Sequence, residues 1–166
     1  IEHPLLITNP YGTNTTSIYM YFKTSDELQA TYTIHCEGYN DFSRTLNNNT
    51  LSGYTTNHEY LLVGAIPGQI NTITVTLTNK QGKTVDTLSW SYNTPSLQGG
   101  DQYLTVNCDD TNTSSLSNGL YTVLGNDVTE DSEEQAYMRL YDNDGILRSE
   151  IPIISYRSHR ILFEDN

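Results

Sequence analysis

The sequence predicts an all-β chain: an immunoglobulin- or fibronectin-III-like sandwich over residues 1–95, a linker at 96–101, and the first blade of a truncated β-propeller over 102–166. Three observations lead there. Short runs rich in β-branched and aromatic residues recur between turn residues, and hardly any stretch has helical periodicity. The run NTITVTLTN (71–79) alternates throughout, with Ile73, Val75 and Leu77 on one face and threonines on the other, as a half-buried antiparallel strand does. The pattern then breaks at NTPSLQGGD (93–101), where Pro95, Gly99 and Gly100 gather.

Residues 17–22 and 30–36 read as two separate strands. In YLLVGAIPGQIN (60–71) a strand gives way to a Pro-Gly turn and then to the alternating strand. KQGK (80–83) forms a hairpin turn. TVDTLSWSY (84–92) alternates again through Val85, Leu88, Trp90 and Tyr92, with one slip that fits a bulge. The stretch from Pro4 to Thr94 thus holds about seven strands, near the size of an immunoglobulin-like sandwich.

Beyond the linker come QYLTVN, GLYTVLG, QAYMRLYD, GILRSEIPII and HRILFED, with the acidic loop NDVTEDSEE (126–134) among them. A strand, a DNDG turn, a second strand and the start of a third make one blade in formation. A lone blade cannot bury both faces. We therefore expect the start of a larger propeller, with Ile146, Ile151, Ile153 and Ile154 left uncovered. Either this segment folds back on the sandwich or a second copy covers it; the second is favoured, giving a homodimer with contacts over 146–163.

Charge narrows the partners. Eight Lys plus Arg against 20 Asp plus Glu give 8 − 20 = −12, which repels nucleic acid. No apolar run approaches the ~20 residues of a membrane span. Scarce lysine, abundant Thr, Asn and Tyr, and a start at Ile1 without a signal peptide suggest an extracellular, cell-surface or periplasmic protein.

Cys36 and Cys108 allow one disulfide or two thiols. Their placement on either side of the linker favours free thiols, since a bridge needs Cα atoms within about 7 Å. Without a CxxC or a Cys/His cluster, no zinc site is expected. DNDG fails as a calcium loop, because positions 5 and 12 counted from Asp142 are Ile146 and Ile153. No metal and no cofactor is expected. The acidic loop with Asp127, Glu130, Asp131, Glu133 and Glu134 reads as a solvated surface.

Of the four histidines, His3 sits at the start and His58 in a turn-rich segment just before a strand. His35 adjoins Cys36, but strand neighbours point to opposite faces, a poor geometry for a dyad. His159 stands out because Arg157 and Arg160 flank it in a cation-poor chain. They form either a strand-edge cluster pairing with acidic loops or a spot for an anionic ligand.

The stretches ITNPYGTNTTSIYMYFKT (7–24), HEYLLVGAIPGQINTITVTLTN (58–79), NGLYTVLGND (118–127) and YDNDGILRSEIPI (141–153) resemble the bacterial aryl-sulfate sulfotransferases, which use phenolic sulfate esters and not a nucleotide donor. The resemblance runs through nearly the whole chain, with NPYG and GxxPG its more specific elements. It implies a sandwich joined to a six-bladed propeller that moves a sulfuryl group from one phenol to another. It also implies a central histidine nucleophile that forms a sulfohistidine, with other His and Arg residues stabilising charge. None of those catalytic motifs occurs in this sequence, so no catalytic residue is assigned. By the same resemblance, His159 and Arg160 would line the mouth of an anionic-substrate funnel. The expected role is an accessory and dimerisation region, inactive alone, whose partner is the remainder of its own propeller. The competing expectations are a self-contained extracellular binding module, for example one stacking a sugar on tyrosines, and, with least support, a small hydrolase.

Overall fold

Strand β2 (Ile18–His35), 18 residues long, organises the N-terminal region. The computed structural model describes residues 1, 3–12, 14–47, 50, 52–99, 119–123 and 136–153. The first half of β2 pairs antiparallel with β1 (Leu5–Thr8) and β4 (Thr55–Leu62). Its second half pairs with β3 (Phe42–Leu46) and β5 (Ile70–Thr78), and β5 pairs with β6 (Thr84–Asn93).

The two strands expected at 17–22 and 30–36 are therefore one. The polar stretch between them stays extended and bends. Opposite β4, the partner of Lys23 is Asn57 and the partner of Leu28 is Thr55. Five steps on β2 thus match two on β4, as a large bulge does. Thr24 Oγ1 donates to the Asp26 carbonyl at 2.7 Å within the bend. The phase survives: Ile18, Met20 and Phe22 before the bend and Leu28, Ala30, Tyr32 and Ile34 after it are all buried. One strand thereby faces the same core from both layers, as strands that switch sheets at a corner do. Counting each half of β2 in its own layer gives β1–β2–β4 and β3–β2–β5–β6, 3 + 4 = 7 strand segments.

Alternation held where it was clearest. In β5 the buried Ile73, Val75 and Leu77 join the core, which also takes Phe42, Tyr60, Leu62, Ala65 and Tyr92. The slip in β6 is a register shift: Leu77 faces Asp86 and Thr78 faces Thr84, leaving Val85 as the extra residue, 52% exposed. The Tyr32 hydroxyl donates to the Val63 carbonyl at 2.9 Å, and burial pushes that phenol up to about 12. The turn before β5 is held by buried Asn71. Its Oδ1 accepts from Ile66 N at 2.8 Å, and its Nδ2 donates to the Ile66 carbonyl and to Thr94 Oγ1.

Three further strands form a separate antiparallel sheet: β7 (Tyr121–Val123), β8 (Ala136–Tyr141) and β9 (Leu147–Ile153), in the order β7–β8–β9. The DNDG hairpin turn lies between β8 and β9 as expected. Gly145 N donates to the Asp142 carbonyl at 3.1 Å, and Gly145 has φ 74°, a conformation glycine adopts without a Cβ clash.

His58 departs from its expected place before a strand. It sits inside β4, fully buried, stacked on Phe22 at 4.4 Å between ring centroids. Its Nε2 lies 3.0 Å from Thr24 Oγ1 and its Nδ1 2.8 Å from the Tyr60 hydroxyl. Because Thr24 gives its proton to Asp26, Nε2 donates to Thr24, and in the neutral ring that burial favours Nδ1 then accepts from Tyr60. Burial holds the His58 pKa down to about 4. An unfolded His titrates near ~6.5, so the unfolded chain binds this proton more readily. Stability from His58 is complete above that pH and is lost as pH falls from the unfolded value to the folded one. The drop is about 3 kcal/mol at most. Chemical denaturation at pH 7 and pH 4 should show it, and His58→Gln should show a smaller difference between the two pH values.

Candidate functional site: the joint between the sandwich and the C-terminal sheet

Asn14, Thr15, Thr16 and Ser17, just before β2, are all buried. Each carries a polar side-chain group, so burial requires partners. Locally, Ser17 N and Oγ both donate to the Asn14 carbonyl, closing a turn. The remaining groups reach β9. Thr15 Oγ1 donates to Glu150 Oε1 at 2.8 Å. Thr16 Oγ1 lies 2.9 Å from both the Arg148 carbonyl and Ser149 Oγ, and Ser149 Oγ donates to Asn14 Oδ1. The sandwich thus meets a strand of the second sheet with side chains.

β9 answers with charge. Arg148 is 1% exposed. Its Nε donates to Asp142 Oδ2 at 2.6 Å, its Nη1 to the Gly64 carbonyl at 3.0 Å and its Nη2 to the Asn40 carbonyl at 2.9 Å. The guanidinium carbon lies 5.5 Å from the Phe42 ring centroid, within cation–π range. Asp142 is held in turn: its Oδ1 accepts from the amides of Asp144 and Ile146, both at 2.9 Å. Gly64 is required here. It has φ 105°, and a Cβ would stand 2.5 Å from the Phe42 ring.

Glu150, fully buried, accepts from Gln98 N as well as Thr15, and from Gly99 N at 2.9 Å. Arg139, its cross-strand partner in β8, donates from Nη2 to the Gly99 carbonyl at 2.8 Å. A Cβ on Gly99 would lie 2.7 Å from the Tyr137 ring. The segment expected as a linker is therefore tied down at Gln98 and Gly99. Ile146, Ile151 and Ile153, expected to be uncovered, are half-buried within the chain, and segment 14–17 meets β9.

The residues singled out in the sequence contribute little to this joint. His159, Arg160, Arg157, Cys108 and the acidic loop lie outside the described residues, as does Ile154. His35 Nδ1 meets Asp41 Oδ1 at 2.7 Å on the exposed surface. Cys36 is a buried free thiol on the opposite face, pushed up by burial and partly offset by nearby Arg148. The two form no dyad. Among the described residues no group of three or more His, Cys, Asp or Glu could hold a metal ion.

Sequence reasoning missed Asp142, Arg148 and Glu150. The available signal was two charges two residues apart, Arg148 and Glu150, inside an apolar strand, where alternation places both on one face.

A family model described as the arylsulfotransferase Ig-like domain matches residues 5–95. The chain belongs to the arylsulfotransferase family. A comparison with curated proteins gives no match. The arylsulfotransferase match opens at Leu5, the first residue of β1, and closes two residues after β6, so it covers the sandwich and stops short of Gln98. The joint lies where that Ig-like domain meets the C-terminal sheet.

Removing one member of a buried ion pair leaves the other uncompensated. Arg148→Met should cost about 3–5 kcal/mol in chemical denaturation. Glu150→Gln keeps the shape but turns an amide NH2 toward the N–H donors, and should cost about 1–3 kcal/mol. Hydrogen exchange on Glu150→Gln should show protection lost over 136–153 and kept in β5 and β6.

Proposed function

We propose that this chain is the N-terminal accessory region of an aryl-sulfate sulfotransferase. In the whole protein, a sulfuryl group would pass from a phenolic sulfate ester to a phenol acceptor, and the blades that perform the transfer would lie outside this sequence. The observation that carries the proposal is the joint. An Ig-like domain of this family holds a three-stranded antiparallel sheet through Arg148, Asp142 and Glu150. That sheet is read as the first blade of the propeller, and the joint as the device that sets its orientation.

The chemistry of the described residues supports a non-catalytic role. Arg148, Glu150 and His58 are each engaged by partners inside the fold. A transferase needs instead a reachable nucleophile and donors aimed at the developing charge. His159 and Arg160 belong to the proposal as residues at the mouth of an anionic funnel, where an imidazole and a guanidinium suit sulfate oxygens.

A homodimer is part of the same reading. The edge strand β1 supports it, since Leu5, Leu6 and Ile7 are 50%, 37% and 44% exposed. The bacterial source and the extracellular, cell-surface or periplasmic location rest on composition and family. Among the described residues no helix is long and apolar enough to cross a membrane.

The test supplies the 166-residue chain, at high concentration, with phenyl sulfate and a phenol acceptor. No transfer is expected. Transfer that disappears in His159→Ala would overturn the accessory role and place the chemistry in this chain.

A further inference from the structure

Two open strand edges border one cleft. Among the described residues β3 and β4 each pair with β2 alone, so the far edge of each carries N–H and C=O groups outside the ladder. The cleft, about 610 Å³, is lined by residues 44–47 on one side and 59–61 on the other. Successive side chains of a strand point to opposite faces. Runs of consecutive residues can line one cleft only where it follows the strand edge and meets main chain.

Most polar side chains in the cleft are already engaged. Tyr32 donates to Val63, Tyr60 to His58, and Tyr19 to Glu59 at 2.9 Å. Arg44 is different. It lies opposite Tyr32 in the ladder and is exposed, and its side chain has no ion pair or hydrogen bond among the described residues. In a chain of net charge −12 an unpaired guanidinium is a rare feature. Leu61 adds an apolar contact, 47% exposed.

We propose that this cleft binds an extended polypeptide segment that pairs with the edge of β3 and sets a carboxylate side chain on Arg44. Main-chain pairing supplies the attraction, and alternate side chains supply selectivity: the acid on Arg44 and an apolar group against Leu61. A small aromatic anion would engage Arg44 and the rings but leave both edges unpaired. The inference is independent of the sulfotransferase reading, because it rests on strand edges and one cation.

The probe is a capped peptide, Thr-Val-Asp-Val-Thr-Val, titrated into the 15N-labelled 166-residue chain. Shifts and slowed exchange are expected at the amides of 43–47. Arg44→Gln should weaken binding about tenfold or more, the size of a lost charge-assisted hydrogen bond. Replacing Asp by Asn in the peptide should weaken binding to the wild type, with no further loss in Arg44→Gln. Three results would overturn the proposal. One is silence at millimolar peptide. Another is unchanged affinity in Arg44→Gln, with that variant self-associating instead, which would make Arg44 a guard against edge-to-edge pairing. The third is benzoate alone reproducing the Arg44-dependent shifts.

Discussion

A guanidinium taken wholly out of water must find partners for its nitrogens, and the fold is arranged so that each nitrogen of Arg148 has one. Its partners come from Asp142 in the adjoining turn, from the loop after β2 at Asn40, and from the segment after β4 at Gly64. Stripping hydration from such an ion costs several kcal/mol. The carbonyls of Asn40 and Gly64 must therefore be in place before β9 can dock favourably. That requirement reaches back into the sandwich. Gly64 must hold φ 105° with nothing but hydrogen where Phe42 packs, so the same ring that fills the core also sets the position of the carbonyl.

The second half of the joint is continuous with the core strand. Ser17 is followed directly by Ile18, the first residue of β2, so segment 14–17 is held by the longest strand of the fold. Thr15 and Thr16 point into β9 from a base that cannot shift without moving both layers. Gln98 and Gly99 approach from the other end of the domain, five and six residues after β6 ends at Asn93. Glu150 gathers both: one carboxylate accepts from the start of the sandwich and from the segment that leaves it. Anionic oxygens surrounded by N–H and O–H donors are a stable arrangement even without water.

How much could be read from the sequence depends on the range over which each signal acts. β5 was legible because alternation is local and Ile73, Val75 and Leu77 obey it without exception. The β6 bulge was legible as a slip in the same pattern. The unity of β2 was not, because Lys23 to Glu27 look like a turn by composition, and only the pairing on either side of the bend, Lys23 and Leu28 with β4 and Gln29 onward with β5, makes one strand of the two halves. His58 looked like a loop residue; its burial depends on Phe22 and Thr24 across the sheet. The joint depends on partners more than a hundred residues apart, such as Thr15 and Glu150, and no local pattern announces such a pair. The family resemblance reached further than the local patterns. Its two more specific elements border the joint: NPYG leads into segment 14–17, and the GxxPG element begins at Gly64. The residues it pointed to at 159–160 lie beyond the described region.

The polarity of the joint has a consequence for geometry. An apolar strand pressed on an apolar loop can slide by a residue and keep most of its contact area. Here a slip of one residue along β9 would turn Arg148 and Glu150 to the opposite face. Asp142 and the Gln98 and Gly99 amides would then be buried without partners, at a cost near that of a lost ion pair. Stabilisation by this joint against two solvated halves is small, because desolvation offsets most of the attraction. Its penalty for the wrong register is large. A contact of that kind does more to select one arrangement of two sheets than to hold them together, which suits the orienting role proposed above.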